Sequence, residues 1–404
     1  IMRQSESNQP LEQLEGGQFV STNNDLITFP SFLVICGVAV ISTGRWKIGM
    51  TLVVIAFAIA IFNSVQQAKK ALKAESKYSK MRPLEILDEL RKLSKENSEE
   101  SSSCQSQCHA CLKALAKYSD MKSQGKKDGK QQQTRNINET QPHEDVEKLE
   151  LVCQEAAYFV LKNLYPKDDG VVSGAISLLA LVAKDEDVRQ RHVQEADKYG
   201  LDIPVKALQA AMKRAKNAEE PEQEAEQLSA ELQRRGCLLL GALADGDVYM
   251  GTKIVDEGGL KIILDSIDWY RHHEDVANWA LWALFVLCYE HPGNKGELVR
   301  AGGIQAICNT MKYVPDSLEV ARHGIAILFD GLREVRGKPY DVIKIRENAL
   351  AAGMHDVVYN AMVNFGESME IMMMGQEMLL ATGYRGNKGP IPQYNPVSSV
   401  VMSR

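Results

Sequence analysis

The sequence predicts an all-α protein in which a stack of helical repeats follows a transmembrane helical hairpin. Three observations carry this expectation. Two long apolar runs without a charge lie near the start of the 404-residue chain. From Gly200 onward, a glycine recurs ahead of an apolar helical stretch. Aromatics make up only 6% of residues against 15 Met and 13 Pro, a profile that suits packed helices better than a β-sandwich.

The first segment, 1–26, is an acidic tail carrying Glu6, Glu12, Glu15 and Asp25. That charge has the wrong sign for a signal peptide, which starts basic, and transit peptides are acid-poor. The expected hairpin spans 27–65, with apolar runs Ile27–Thr43 and Ile48–Val65. Each run would reach roughly 26 Å as a helix, close to the ~30 Å hydrocarbon core. Between them, Arg45, Trp46 and Lys47 have the amphipathic chemistry of a membrane interface. Lys69, Lys70, Lys73, Lys77, Lys80 and Arg82 follow, so the positive-inside rule places the rest of the chain on the cytosolic side. The expectation is an integral membrane protein with the lipid bilayer as one partner and no organelle specified.

Residues 66–118 read as an amphipathic helical region, and 119–145, without apolar periodicity, as a flexible linker. ALKAESKYSKM (71–81) matches CLKALAKYSDM (111–121) at seven of eleven positions, 40 residues apart, which points to stacked helical units. The eight cysteines lie mostly in apolar stretches, so a reducing compartment is the simpler reading. Three of them cluster as Cys104, Cys108 and Cys111, with His109 among them. Their spacing resembles the iron–sulfur motif of radical-SAM enzymes, but no strands of an α/β barrel follow. On a helix they fall at i, i+4 and i+7 with Leu115 next, which makes core packing the first expectation. A metal or redox site with His109 as extra ligand is the second. No cofactor is expected.

The segment 146–384 is helical and periodic. DEGGLKIIL (256–264), RAGGIQAIC (300–308) and AAGMHDVV (351–358) repeat one pattern, with KYGLDIPV (198–205) a weaker copy. The anchoring glycines are Gly200, Gly259, Gly303 and Gly353, spaced 59, 44 and 50 residues apart. The 44-residue register also aligns EDVANWALWALFVLCYE (274–290) with LEVARHGIAILFDGLRE (318–334). Small residues such as Ala277, Ala280 and Gly324 let helices approach, while Leu281, Leu284, Ile325 and Leu328 fill the spine between repeats. The last segment, 385–404, is rich in Gly, Pro and Asn and reads as extended.

These residues resemble armadillo repeats, most closely in NKGELVRAGGI (294–304) and WALFVLC (282–288). The resemblance covers about residues 149–384. It implies a right-handed α-solenoid of three-helix units whose third helices line a concave groove for a protein partner. Nuclear-import adaptors of that family carry a Trp and an Asn on each third helix. Here Trp282 sits at the Trp position, with Trp279 one turn before. The Asn positions hold Ala180, Ala242, Val286, Asp330 and Ala381 instead. The resemblance therefore implies a groove contacted by Trp279, Trp282, His323 and Asp330, taking a basic or helical segment. Residues 136–404 carry 28 basic and 40 acidic groups, a balance that argues against nucleic acid as partner. No G-x-S-x-G, P-loop, G-x-G-x-x-G or HExxH occurs, so no enzyme is expected. The expected function is a membrane-anchored interaction scaffold. The alternatives are a structural subunit of a membrane complex and an Hsp70-type co-chaperone.

Overall fold

The structure, a computed structural model, describes residues 73–96, 102–127, 149–163, 168–195, 198–218, 223–333 and 342–394. The chain divides into two units, Ile1–Ala68 and Lys69–Arg404, and all described residues belong to the second. They are helical, with no strand among them.

Helices α1 (Pro83–Glu96), α2 (Ser102–Lys127), α3 (Leu149–Asn163) and α4 (Asp169–Val182) come first. Triplets follow. The first is α5 (Glu186–Gln194), α6 (Asp202–Asn217) and α7 (Gln223–Ala244), and the second is α8 (Val248–Asp256), α9 (Gly259–Trp269) and α10 (Glu274–Cys288). The third is α11 (Pro292–Arg300), α12 (Gly303–Tyr313) and α13 (Leu318–Leu332), and the fourth is α14 (Val342–Ala351), α15 (Met354–Asn364) and α16 (Met369–Ala381). The second and third triplets match helix for helix, with lengths of 9, 11 and 15 residues in both. The 44-residue register of the sequence is thus the spacing of two structural units.

The triplets stack in two rows. The inner row runs α2, α4, α7, α10, α13, α16, each helix packed on the next. The outer row runs α6, α9, α12, α15. Helices α1 and α2 join this stack by packing on α3 and α4, so the apolar core continues from Ile86 and Leu90 through to Leu379. Each inner helix begins on a side-chain cap where the turn supplies one. Asp168 accepts from the Val171 amide, Ser317 from Val320 and Ser368 from Ile371, each satisfying a backbone donor that the helix start leaves open.

The glycine pairs divide two tasks. Gly258 and Gly302 have φ of +88° and +75°, the left-handed conformation that ends a short first helix and redirects the chain. Their neighbours Gly259 and Gly303 are helical, and what they provide is room. A Cβ on Gly303 would lie 2.9 Å from the carbonyl oxygen of Leu298, and one on Gly259 2.8 Å from that of Ile254. In the fourth triplet Gly353 takes the left-handed position, with φ +79°.

The fold expectation needs one correction. Among the described residues no helix is long and apolar enough to cross a membrane. The most apolar inner helix, α4, has 14 residues, about 21 Å at 1.5 Å per residue and short of a ~30 Å core. The long helices α2 and α7 each carry several charges, from Lys113 onward in α2 and up to Arg235 in α7. The segment 27–65 lies outside the described residues, as do Arg45, Trp46, Lys47, Lys69 and Lys70. The fold class is corrected to all-α, and among the described residues neither a transmembrane hairpin nor an integral-membrane assignment is supported.

The division of labour between paired glycines is testable by denaturant midpoint. Gly302→Ala should cost about 1 kcal/mol, from strain at a positive φ. Gly303→Ala should cost more, about 2 kcal/mol, because a Cβ would meet both the Leu298 side chain and its backbone carbonyl. Equal small losses would show that the two glycines are interchangeable.

Candidate functional site

The exposed stripe of the inner row is the candidate site. Helix packing uses one face of each inner helix for its neighbours and leaves residues at i, i+3, i+4 and i+7 toward solvent. On α10 that stripe is Asp275, Asn278, Trp279, Trp282, Phe285 and Val286, the last five half-buried. On α13 it is Glu319, Arg322, His323 and Phe329, all half-buried.

The two tryptophans meet edge to face, with ring centroids 5.7 Å apart and planes at 85°. Trp282 lies over Gly241 of α7, where a Cβ would come within 2.3 Å of the ring. The glycine lets the indole lie flat between α7 and α10, so Trp282 is as much an inter-unit wedge as a groove contact. His323 Nδ1 stands 3.1 Å from Asn278 Oδ1, a link from α13 to α10. Burial, reinforced by the Arg322 guanidinium, lowers the His323 pKa to about 4. The imidazole is therefore neutral at pH 7.

Asp330 does not line the groove. It is buried, with its carboxylate 2.7 Å from the equally buried Lys295 ammonium of α11. Lys295 also donates to the Asp330 carbonyl at 3.2 Å. The pair closes a small pocket whose walls include Phe285, Cys288, Leu298 and Ile345. A buried carboxylate is tolerated there because its partner is built in.

The cysteine cluster is also a packing feature where it is described. Cys108 and Cys111 are fully buried in the core beside Leu112 and Leu115. Burial holds the Cys108 thiol well above its ordinary pKa and takes Cys111 to about 12, so neither is a ready thiolate. His109 packs against Gly170, with Nε2 3.9 Å from the Asp168 carboxylate. Cys104 belongs to α2, but its side chain is outside the described residues. Among the described residues no group of three or more His, Cys, Asp or Glu is placed to hold a metal ion.

Sequence reasoning missed a charged ladder on this face. Glu231, Asp275, Glu319 and Glu370 occupy equivalent places on α7, α10, α13 and α16, spaced 44, 44 and 51 residues apart. Arg234 grips Glu231 at 2.6 and 2.7 Å. Burial opposes the Glu231 charge, but Arg234 and Arg235 outweigh it and keep its pKa below the ordinary value. Arg322 spans two helices, 2.8 Å from Glu319 and 3.3 Å from Glu370. The signal was an acid recurring every 44 to 51 residues, followed three residues later by Arg on α7 and α13.

Two outcomes follow. Lys295→Met leaves Asp330 buried and unpaired, and should cost about 3–5 kcal/mol in a denaturant melt. Adding Asp330→Val should recover most of that loss. His323 has a folded pKa below its 6.5 reference, so the unfolded chain binds its proton more tightly. The stability this gives is fully present above pH 6.5 and is lost as pH falls toward 4. His323→Asn should therefore shallow the fall in melting temperature across that window.

No protein-family model and no curated protein matches the chain. Among solved structures it is similar to the crystal structure of an engineered protein, at 15% identity and a TM-score of 0.47, over 73% of this chain and 98% of that one. A likeness that loose specifies neither repeat type nor activity.

Proposed function

We propose that the chain is a non-catalytic interaction scaffold of armadillo-like repeats that holds a protein partner along the exposed stripe of its inner helices. The observation that carries this reading is the aromatic and polar composition of that stripe on α10 and α13. Trp279, Trp282 and Phe285 on α10 and Phe329 on the neighbouring α13 are half-buried, as are Asn278 and Arg322. Large amphipathic rings at low conformational cost are what binding surfaces use. The stacked units supply a long rigid surface, suited to an extended or helical segment.

The test compares two tryptophans. Trp269, 47% exposed, ends α9 in the outer row. Trp279 lies on the inner row. With the full-length chain as bait, the expected result is a stoichiometric partner that is lost with Trp279→Ala and kept with Trp269→Ala, both variants retaining wild-type helicity. Loss with Trp269→Ala alone would place binding on the outer row and overturn the reading.

A further inference from the structure

The charge ladder of the inner row has a gap at its centre. An arginine stands three residues after the acid on α7 (Arg234) and on α13 (Arg322). Arg234 holds its own acid and is attracted to Asp275 on the next helix. Arg322 joins its own acid to the acid of the next helix. On α10 the equivalent position is Asn278, which carries no charge and instead faces His323. Of the four ladder acids, Asp275 makes no ion pair among the described residues, and it is exposed.

We propose that the α10–α13 step of the inner row is a seat for an arginine of the partner, which would lie between Asp275 and Glu319 beside Trp279, where the chain's own ladder lacks a guanidinium. This deepens the scaffold reading and rests on it. The chemistry is that of the flanking steps. A guanidinium offers five donors in a planar fork, enough to serve two carboxylates as Arg322 serves Glu319 and Glu370. Trp279 lies one helical turn beyond Asp275 on the same helix, and an arginine stem or face packs well on an indole. His323, neutral at pH 7, adds no competing charge.

The internal arginines also supply the decisive variant. Asn278→Arg would fill the gap from within, as Arg234 and Arg322 do at the flanking steps. Asn217→Arg, at the exposed end of α6 in the outer row, makes the same change in charge elsewhere. The probe is a fluorescein-labelled tetra-arginine peptide titrated with the full-length chain, read by anisotropy at physiological ionic strength. Wild type should bind. Asn278→Arg and Asp275→Asn should each weaken binding about tenfold, the usual scale for loss of a charge-assisted contact. Asn217→Arg should change it less than about twofold. Asn278→Arg gives up the contact with His323 and should lower the melting temperature only modestly, with wild-type helicity retained.

Equal weakening by Asn278→Arg and Asn217→Arg would reveal only general attraction to an acidic surface and would overturn the proposal. So would failure of wild type to bind the peptide. If the peptide fails while Trp279→Ala still loses the captured partner, the arginine seat is wrong and the scaffold reading stands. If capture is indifferent to Trp279→Ala, the scaffold reading itself has failed.

Discussion

The array depends on one close approach, that of each inner helix to the middle helix of its own triplet, across a residue with little or no side chain. Gly236 on α7 receives Leu208, Gly324 on α13 receives Met311, and Gly375 on α16 receives Met362. Ala280 holds the same register on α10 and is fully buried. A Cβ on any of the three glycines would come within 2.6 Å of a facing side chain. Each contact brings two amphipathic helices to a distance at which their apolar faces close, and the next triplet then covers what remains. No triplet could bury its surface alone, and stability is transmitted from neighbour to neighbour.

This arrangement leaves the solvent stripe of the inner row free to vary. Its packing duties end at the buried faces, so the stripe differs from helix to helix while the core register stays fixed. On α7 it is nearly closed over, with Trp282 seated on Gly241. On α10 it is aromatic, on α13 it is charged, and on α16 it exposes Met373 and Leu380. A recurring buried register with variable surface chemistry is how a stack presents a graded surface.

Much of the fold was legible in the sequence, because glycine placement and apolar periodicity are local signals. The aligned pair 274–290 and 318–334 became α10 and α13, and the small residues Ala277, Ala280 and Gly324 are at tight contacts. Sequence alone could not divide the work of a glycine pair, since φ and steric room leave the same letter. It anchored the turn on Gly259 and Gly303, whereas the left-handed residues are Gly258 and Gly302. It took hydrophobicity over 27–65 as a membrane signal, and no such helix is found among the described residues. At the site, Trp279 meets Trp282 and His323 reaches Asn278 on the same helix as the two tryptophans, but Asp330 is buried against Lys295 instead. A charge read on a helix face carries no information on a partner 35 residues away.

The repeats themselves show what that buried charge is for. One unit earlier, the position of Asp330 is held by Val286 and the position of Lys295 by Gly251. Both members of the pair change together between otherwise matching triplets. Had Asp330 been placed for a ligand, nothing would require a lysine to accompany it. Had Lys295 been a free binding group, its removal would not call for an apolar residue opposite. Joint replacement is what the energetics of burial demand, because either ion alone in that pocket costs several kcal/mol while the pair, or its apolar substitute, is near balance. The inner row therefore sorts its charges by depth. Those beneath the stripe neutralise each other within a unit, while on the stripe Arg234 holds Glu231 on its own helix and Arg322 also reaches Glu370 of the next unit. The α10–α13 step, with Asn278 where its neighbours carry arginine, is where that second set is left incomplete.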